Sequence, residues 1–456
     1  MIDIAADPIA WLRSRAPWLC APELGVCIVG STALAIACRQ AGIAAPVPGD
    51  LDLSWSPDPA AGRELLERQR AFQAVTEGNV ARGTLALRLD GRRIEITTHR
   101  GRDHGSLAER IAADLAERDM TIGALAVEVA SGRIHDPHGG LEHWREGRIV
   151  AVGDAADRVR EHPIRWLRYF RKAHELGFEI DRRIRSLPCR PTLLDELPAE
   201  AVALELRAIL GRCRSPGRCL IELHEAALLE RLSPEVARQF DGRPAGPQRW
   251  HPEVSQALHL ILALEWAAAN TGELAERDRM AVMLAVLCHD LGKGYTRPSS
   301  LPGHPGHEHE GVRYVTAFLD RWPGLADARA RTLAQHVCTL HLVVRGFPEL
   351  RAGTLARLFD DHFRGKDYPV ELFALAVAAD SAGRLGMHDS GLLVFRETKQ
   401  RLDRLRAACA TVDAAALRAR HGDDLEAFRA ALHQERARAI AADHEAITAG
   451  ADEARP

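Results

Sequence analysis

Apolar and polar positions change their spacing once along this chain. In the first 150 or so residues they favour strands. Val26-Cys27-Ile28-Val29 is short, apolar and β-branched, and it ends at Gly30-Ser31. Leu51-Asp52-Leu53-Ser54-Trp55 alternates with a period of two, so its odd-numbered positions share one face. Two further alternating runs, 84–89 and 93–98, flank Asp90-Gly91, a strong hairpin signal. From about residue 155 apolar residues recur at three and four, with Pro and Gly as punctuation, which predicts helix almost throughout. Turn formers gather at 186–191 and at 241–247. The tail from about 430 reads as helix fraying into 451–456. The expected fold class is therefore α+β: a small mixed sheet flanked by helices, then helical modules.

At 456 residues the chain exceeds a single core. The formal charge of -3 gives no global attraction to nucleic acid, so any RNA contact needs a local basic face. Nine cysteines without a C-x-x-C pair read as reduced thiols. The N-terminus has neither a basic region nor a long apolar one, and no stretch matches a membrane span. A cytoplasmic protein is expected.

Two residue clusters carry chemistry. In the first, Gly30-Ser31 closes a strand ahead of a helix start, where backbone N–H groups can cradle a triphosphate. Asp50 and Asp52, two apart, place their carboxylates on one side while Leu51 and Leu53 enter the core. Like charges so close are costly unless a cation joins them. Glu95, between Ile94 and Ile96, supplies a third carboxylate from a neighbouring strand. Such a set suits two Mg²⁺ ions, one for an attacking hydroxyl and one for a nucleoside triphosphate.

The second cluster is the His289-Asp290 doublet, which ends an apolar helix. His259 lies upstream, and His304, His307, His336, His341 and Asp380 lie downstream. Imidazole and carboxylate together suit a divalent metal that activates water, so phosphate-ester hydrolysis is expected. Asp380 closes a very apolar helix, so it is buried and needs a partner. Lys293 reads either as a phosphate contact or as a helix C-cap charge.

The ordered motifs resemble bacterial tRNA nucleotidyltransferases, the CCA-adding enzymes and their poly(A) polymerase relatives. The likeness rests on Val29-Gly30-Ser31, Asp50 with Asp52, Glu95-Ile96-Thr97-Thr98-His99-Arg100, Arg118-Asp119-Met120-Thr121-Ile122-Gly123-Ala124 and Glu161-His162-Pro163-Ile164-Arg165-Trp166-Leu167-Arg168. The second cluster resembles the subgroup with a C-terminal HD phosphohydrolase domain. The resemblance implies catalytic Asp50, Asp52 and Glu95 with Mg²⁺. It also implies a nucleotide site of Gly30, Ser31, Arg100, Arg118, Asp119, Glu161, His162, Arg165 and Arg168. Glu161, Arg165 and Arg168 are expected on one face of a single helix, with Arg165 reading the base. For the HD domain it implies His259, His289, Asp290 and Asp380 as ligands, with His289 and Asp290 catalytic. His307 matches a further ligand position, and His341 matches another for which His336 could substitute. Mg²⁺, Mn²⁺ or Ni²⁺ would serve there.

The chain departs from the family's pattern at four places. Leu34 and Ala35 stand where the family has Arg and Asp, and about twenty residues separate Gly30 from Asp50. Gly123 replaces an Asn, and His162 replaces the Asp that accepts from the amine of C or A. A neutral imidazole can accept one hydrogen bond, whereas an imidazolium only donates. The expectation is a head at 1–150, a helical neck and body at 151–245 that binds RNA, and an HD domain at 246–456. The enzyme would add nucleotides to the 3′ end of tRNA or another structured RNA and remove 2′,3′-cyclic or terminal phosphates. The alternative is a phosphohydrolase whose degenerate head only binds RNA or nucleotide.

Overall fold

Asp90 and Gly91 both take positive φ, +48° and +76°, as the tight turn between two twisted antiparallel strands requires. They join the two longest strands of a seven-stranded mixed sheet. In chain order its strands are β1 (Cys27–Val29), β2 (Asp52–Trp55), β3 (Phe72–Gln73), β4 (Thr84–Leu89), β5 (Arg92–Thr98), β6 (Ala126–Glu128) and β7 (Ile134–His135). They lie in the order β3-β4-β5-β2-β1-β6-β7, and only β2 and β5 run parallel. The computed structural model describes residues 6–100 and 105–448. The first five residues and the polar end 451–456 therefore lie outside the described residues.

The sheet belongs to the first of two compact units, which runs to Ala173 and takes in Gly177–Pro188. The second comprises His174–Leu176 and the chain from Cys189 onward. The stretch 151–245 is thus divided between them. Helix dominates beyond residue 155, with one exception. Glu179–Ile180 (β9) pairs in parallel with Arg148–Ile149 (β8), a two-residue ladder too short for periodicity to register.

A second departure matters more for the site. The single helix expected across 161–168 is two helices, Ala155–Glu161 and Ile164–Leu176. Between them His162 is extended, at φ -143° and ψ 92°. Pro163 explains the break, since its ring disfavours helical geometry at the residue before it.

In the second unit the helices Glu276–Cys288 and Val370–Ala382 are buried nearly all round. Every residue from Met280 to Cys288 is buried, as is every residue of Val370–Ala382 except Glu371. Helices this apolar form the middle of a core rather than a surface. The polar residues at their C-terminal ends are thereby carried into the interior. Among the described residues no helix is long and apolar enough to cross a membrane. All nine cysteines are free thiols.

Candidate functional sites

The parallel pairing of β2 with β5 sets Asp52 directly beside Glu95. The antiparallel pairing of β1 with β2 sets Val29 opposite Asp52. Gly30 then turns the chain into the Gly30–Ala41 helix with φ +70°, a conformation that favours glycine. A Cβ built there would stand 4.0 Å from Asp52 Oδ2. Ser31 Oγ accepts from Gly49 N at 3.3 Å, and Thr32 Oγ1 donates to Asp50 O at 3.2 Å, so the turn and the acidic segment are tied together.

Asp50 lies in a bend just ahead of β2 and is exposed. Partial desolvation, with the charges of Asp50 and Glu95, pushes Asp52 up to about 6. Arg118 opposes that rise, which places it electrostatically beside the carboxylates. Glu95 leans to Arg93 at 3.1 Å. Among the described residues, sets of three or more ligating atoms within 4.8 Å of one another occur only in the second unit. Asp50, Asp52 and Glu95 share one corner but do not close to that distance.

The expected nucleotide residues cluster unevenly. Arg118 pairs with Asp114 at 3.0 Å, and Arg168 with Asp119 at 2.9 Å. Arg100 Nη1 donates to Glu117 O at 3.4 Å. His162 is held below the usual histidine range by burial and by Arg165, Arg100 and Arg168, so those four residues are neighbours. Its ring is neutral at neutral pH and can accept.

Arg165 departs from its expected role. It is buried, with Nη1 donating to Glu161 Oε2 at 2.8 Å and Nη2 to Glu117 O at 2.7 Å. Its donors go to protein acceptors rather than outward to a base. Glu161 also takes an ion pair from Arg158.

The second unit brings six predicted residues to one point. His259 comes from the Gln256–Asn270 helix, and His289 and Asp290 follow Glu276–Cys288. His307 begins the His307–Arg321 helix. His341 and Asp380 lie in Ala328–Arg345 and Val370–Ala382. All six are at least nine-tenths buried. Asp290 divides the set: its Oδ2 lies 3.2 Å from His289 and 3.7 Å from His259, and its Oδ1 lies 3.2 Å from His307 and 3.6 Å from His341. Asp380 Oδ1 completes the first group, 3.2 Å from His259 Nε2 and 3.6 Å from His289 Nε2.

The rings are oriented from behind. His289 Nδ1 donates to Val286 O at 2.6 Å, His307 Nδ1 to His304 O at 2.6 Å, and His341 Nδ1 to Val337 O at 3.0 Å. A carbonyl only accepts, so each neutral ring carries its proton on Nδ1 and aims the Nε2 lone pair inward. Asp290 Oδ1 and His307 Nε2 are buried without a hydrogen-bond partner. Buried polar atoms without partners are rare, and a cation would satisfy these. The donor set therefore fits a divalent metal. Gly292 permits this approach, because a Cβ there would meet His307 O at 2.1 Å.

Charges near the cluster hold its carboxylates ionised. Burial opposes the charge on Asp290, yet His289 and Lys293 keep it well below the usual carboxylate range. Lys293 is itself buried, with Nζ 2.6 Å from Asp290 Oδ2, so it is neither a solvated cap nor a free phosphate contact. Burial likewise opposes the charge on Asp380, and Arg345 at 2.5 Å overcomes it.

The structure also separates the remaining histidines. His304 is held by Pro244 O at 2.8 Å and Thr296 at 3.1 Å, and His309 is exposed. His336 faces Tyr368 and His362, so it is His341 that reaches Asp290. Sequence reasoning missed Glu253, which is buried with Oε1 3.1 Å from His259 Nδ1 and 2.7 Å from His251 Nδ1. Its signal was the spacing of an acid six residues before a candidate ligand, which is too common to single out.

Residues 39–150 match the family described as the Poly A polymerase head domain. The multifunctional CCA protein of Alkalilimnicola ehrlichii is 38% identical over 296 residues, covering 63% of this chain and 67% of that protein. The one from Xanthomonas campestris pv. campestris is 34% identical over 308 residues, 66% and 71% of the two chains. In fold the chain is similar to the Bacillus stearothermophilus CCA-adding enzyme solved with CTP, with a TM-score of 0.61, 20% identity, and coverage of 97% of this chain and 94% of that one. It is also similar to the Thermotoga maritima CCA-adding enzyme complexed with tRNA, with a TM-score of 0.51, 18% identity, and coverage of 90% and 91%. Ordered head motifs, a mixed sheet bearing paired acids and relatives matched over two thirds of their length agree: this chain belongs to the multifunctional CCA proteins, a family of bacterial tRNA nucleotidyltransferases.

Proposed function

We propose that this chain adds nucleotides from nucleoside triphosphates to the 3′ end of tRNA through its head, and that its histidine cluster hydrolyses terminal or 2′,3′-cyclic phosphates. The three functional modules are 1–150, 151–245 and 246–456, the middle one binding RNA. Free thiols and RNA chemistry suit a cytoplasmic protein. Nucleotidyltransferases of this family use divalent metals, generally Mg²⁺.

In the head, Asp50 and Asp52 would hold Mg²⁺ with Glu95 beside them. The donor chemistry fits, because a cation offsets both the desolvation and the repulsion that lift Asp52. Bound Mg²⁺ supplies positive charge to the triphosphate and lowers the pKa of the attacking hydroxyl. Gly30 and Ser31 turn backbone N–H groups of the helix start towards the triphosphate. Asp119 fixes Arg168, Arg100 stands beside it, and His162 offers an acceptor to an exocyclic amine. Arg165 acts as a positioning residue, tying Glu161 to Glu117.

In the second unit His259, His289, Asp290 and Asp380 would hold one Mg²⁺, Mn²⁺ or Ni²⁺, and Asp290, His307 and His341 a neighbouring one. Such ions supply Lewis acidity and a lower pKa for water. The protein excludes bulk water around the cluster, orients each imidazole from its Nδ1 side and balances the carboxylates with Lys293 and Arg345. The observation that carries this reading is Asp290, with histidines facing each of its two oxygens.

The test uses a 3′-truncated tRNA with Mg²⁺ and each labelled triphosphate in turn, and a 2′,3′-cyclic phosphate with Mn²⁺ or Ni²⁺. Asp50→Ala should abolish incorporation and spare phosphate hydrolysis, and Asp290→Ala should do the reverse. No incorporation of any nucleotide by the wild type would leave only the binding role for the head.

A further inference from the structure

A cleft of about 640 Å³ opens beside the histidine cluster, lined by Tyr295, Thr296, Arg297, Ser299, His307 and Arg313 among others. His307 belongs both to this cleft and to the group around Asp290. The volume lies in the range of small-ligand sites. Its basic side chains are not equivalent. Arg313 is held by Glu310 at 2.8 Å and by the Tyr314 hydroxyl at 2.6 Å. Lys293, which lies outside the cleft lining, is committed to Asp290. Arg297 is exposed, and its guanidinium makes no hydrogen bond or ion pair among the described residues.

The aromatic wall is already saturated. Tyr295 and Tyr314 stack at 3.5 Å and 7°. Arg238 lies 4.5 Å from the centre of the Tyr295 ring, and Arg313 lies 4.7 Å from that of Tyr314. With Arg238 and Arg313 on the outer sides of the stack, neither ring offers a face on which a base could stack. The cleft offers a free guanidinium and hydroxyls, which are phosphate-recognising groups.

Resting on the phosphohydrolase reading above, we propose that this cleft grips a polynucleotide end by two phosphates. The terminal phosphate lies at His307, and the preceding internucleotide phosphate lies on Arg297. Hydrolysis there consumes one water: its oxygen bonds to phosphorus, the ester oxygen leaves, and that oxygen takes the proton. No other co-reactant is needed. The site thus favours oligonucleotide ends over free mononucleotides, with little regard for the base.

The experiment compares adenosine 2′,3′-cyclic phosphate with a dinucleotide ending in the same group, using the full chain loaded with Mn²⁺ or Ni²⁺. A charge-assisted phosphate contact should lower KM for the dinucleotide about tenfold. Arg297→Ala should erase that difference and Arg297→Lys should restore part of it. In metal-free protein, equilibrium dialysis of a 3′-phosphorylated dinucleotide should show several-fold weaker binding to Arg297→Ala. Equal KM values in the wild type, or equal binding by the variant, would overturn the two-phosphate grip. Failure of the wild type to hydrolyse either substrate would instead overturn the phosphohydrolase reading.

Discussion

Glu253 Oε1 stands 3.1 Å from His259 Nδ1, on the opposite side of the ring from the nitrogen that faces Asp380 at 3.2 Å. Burial raises the cost of charge on Glu253, yet His251 and His259 hold its carboxyl well below the usual range. A buried carboxylate behind an imidazole fixes the tautomer and makes the inner nitrogen a stronger ligand. Glu253→Gln should therefore weaken divalent-metal binding by about 10–100-fold. Competition with a metallochromic indicator would measure this, and unchanged affinity would remove Glu253 from the site.

Metal binding should also stabilise the second unit. A ligand at a hundred times its dissociation constant contributes about 2.7 kcal/mol, or roughly 5–10 °C in Tm for a domain of this size. Adding Mn²⁺ to chelator-treated protein should give that rise in calorimetry. Asp290→Asn, which weakens both groups of ligands, should lose most of it.

Arg165 and Arg168 should separate under mutation. Arg165→Ala strips donors from Glu161 and Glu117 O inside the first unit, at a cost of about 2 kcal/mol. Arg168 is more exposed, and its pair with Asp119 is partly solvated, so Arg168→Ala should cost less, under about 1 kcal/mol. Urea unfolding would rank them, and equal losses would refute the positioning role of Arg165.

His336 gives a pH dependence with a definite sign. Burial and the nearby His362 push it down to about 4, against about 6.5 in an unfolded chain. Between those values the unfolded chain binds a proton that the folded ring refuses. Its stabilising contribution is thus complete above about pH 6.5 and is lost as pH falls towards 4. After allowance for partial exposure, the loss by pH 5 should be about 1 kcal/mol. Chemical denaturation at pH 7 and pH 5 should show a smaller difference for His336→Gln than for the wild type.

His162 bears on base choice. Its neutral ring offers one acceptor where a carboxylate offers several lone pairs. His162→Asp should raise incorporation of C and A over G and U by about tenfold, measured with each triphosphate on the truncated tRNA. Unchanged preference would show that His162 does not meet the base.

Much of this molecule was legible in residue order. The Asp90-Gly91 turn, the alternation in β4 and β5 and the apolar run before His289 are local properties, and local geometry follows from them. Pro163 was equally visible, but motif spacing across 161–168 suggested one continuous helix, and the backbone restriction of proline prevailed. What sequence spacing cannot carry is which distant side chains share a point. The choice of His341 over His336, the commitment of Lys293 and Arg345 to carboxylates and the place of Glu253 behind His259 all depend on helices meeting across long stretches of chain. The sequence by itself determined the ligand types and the elements that bear them. Only tertiary packing decided their partners, because burial and distance, not residue order, determine which charges must neutralise one another.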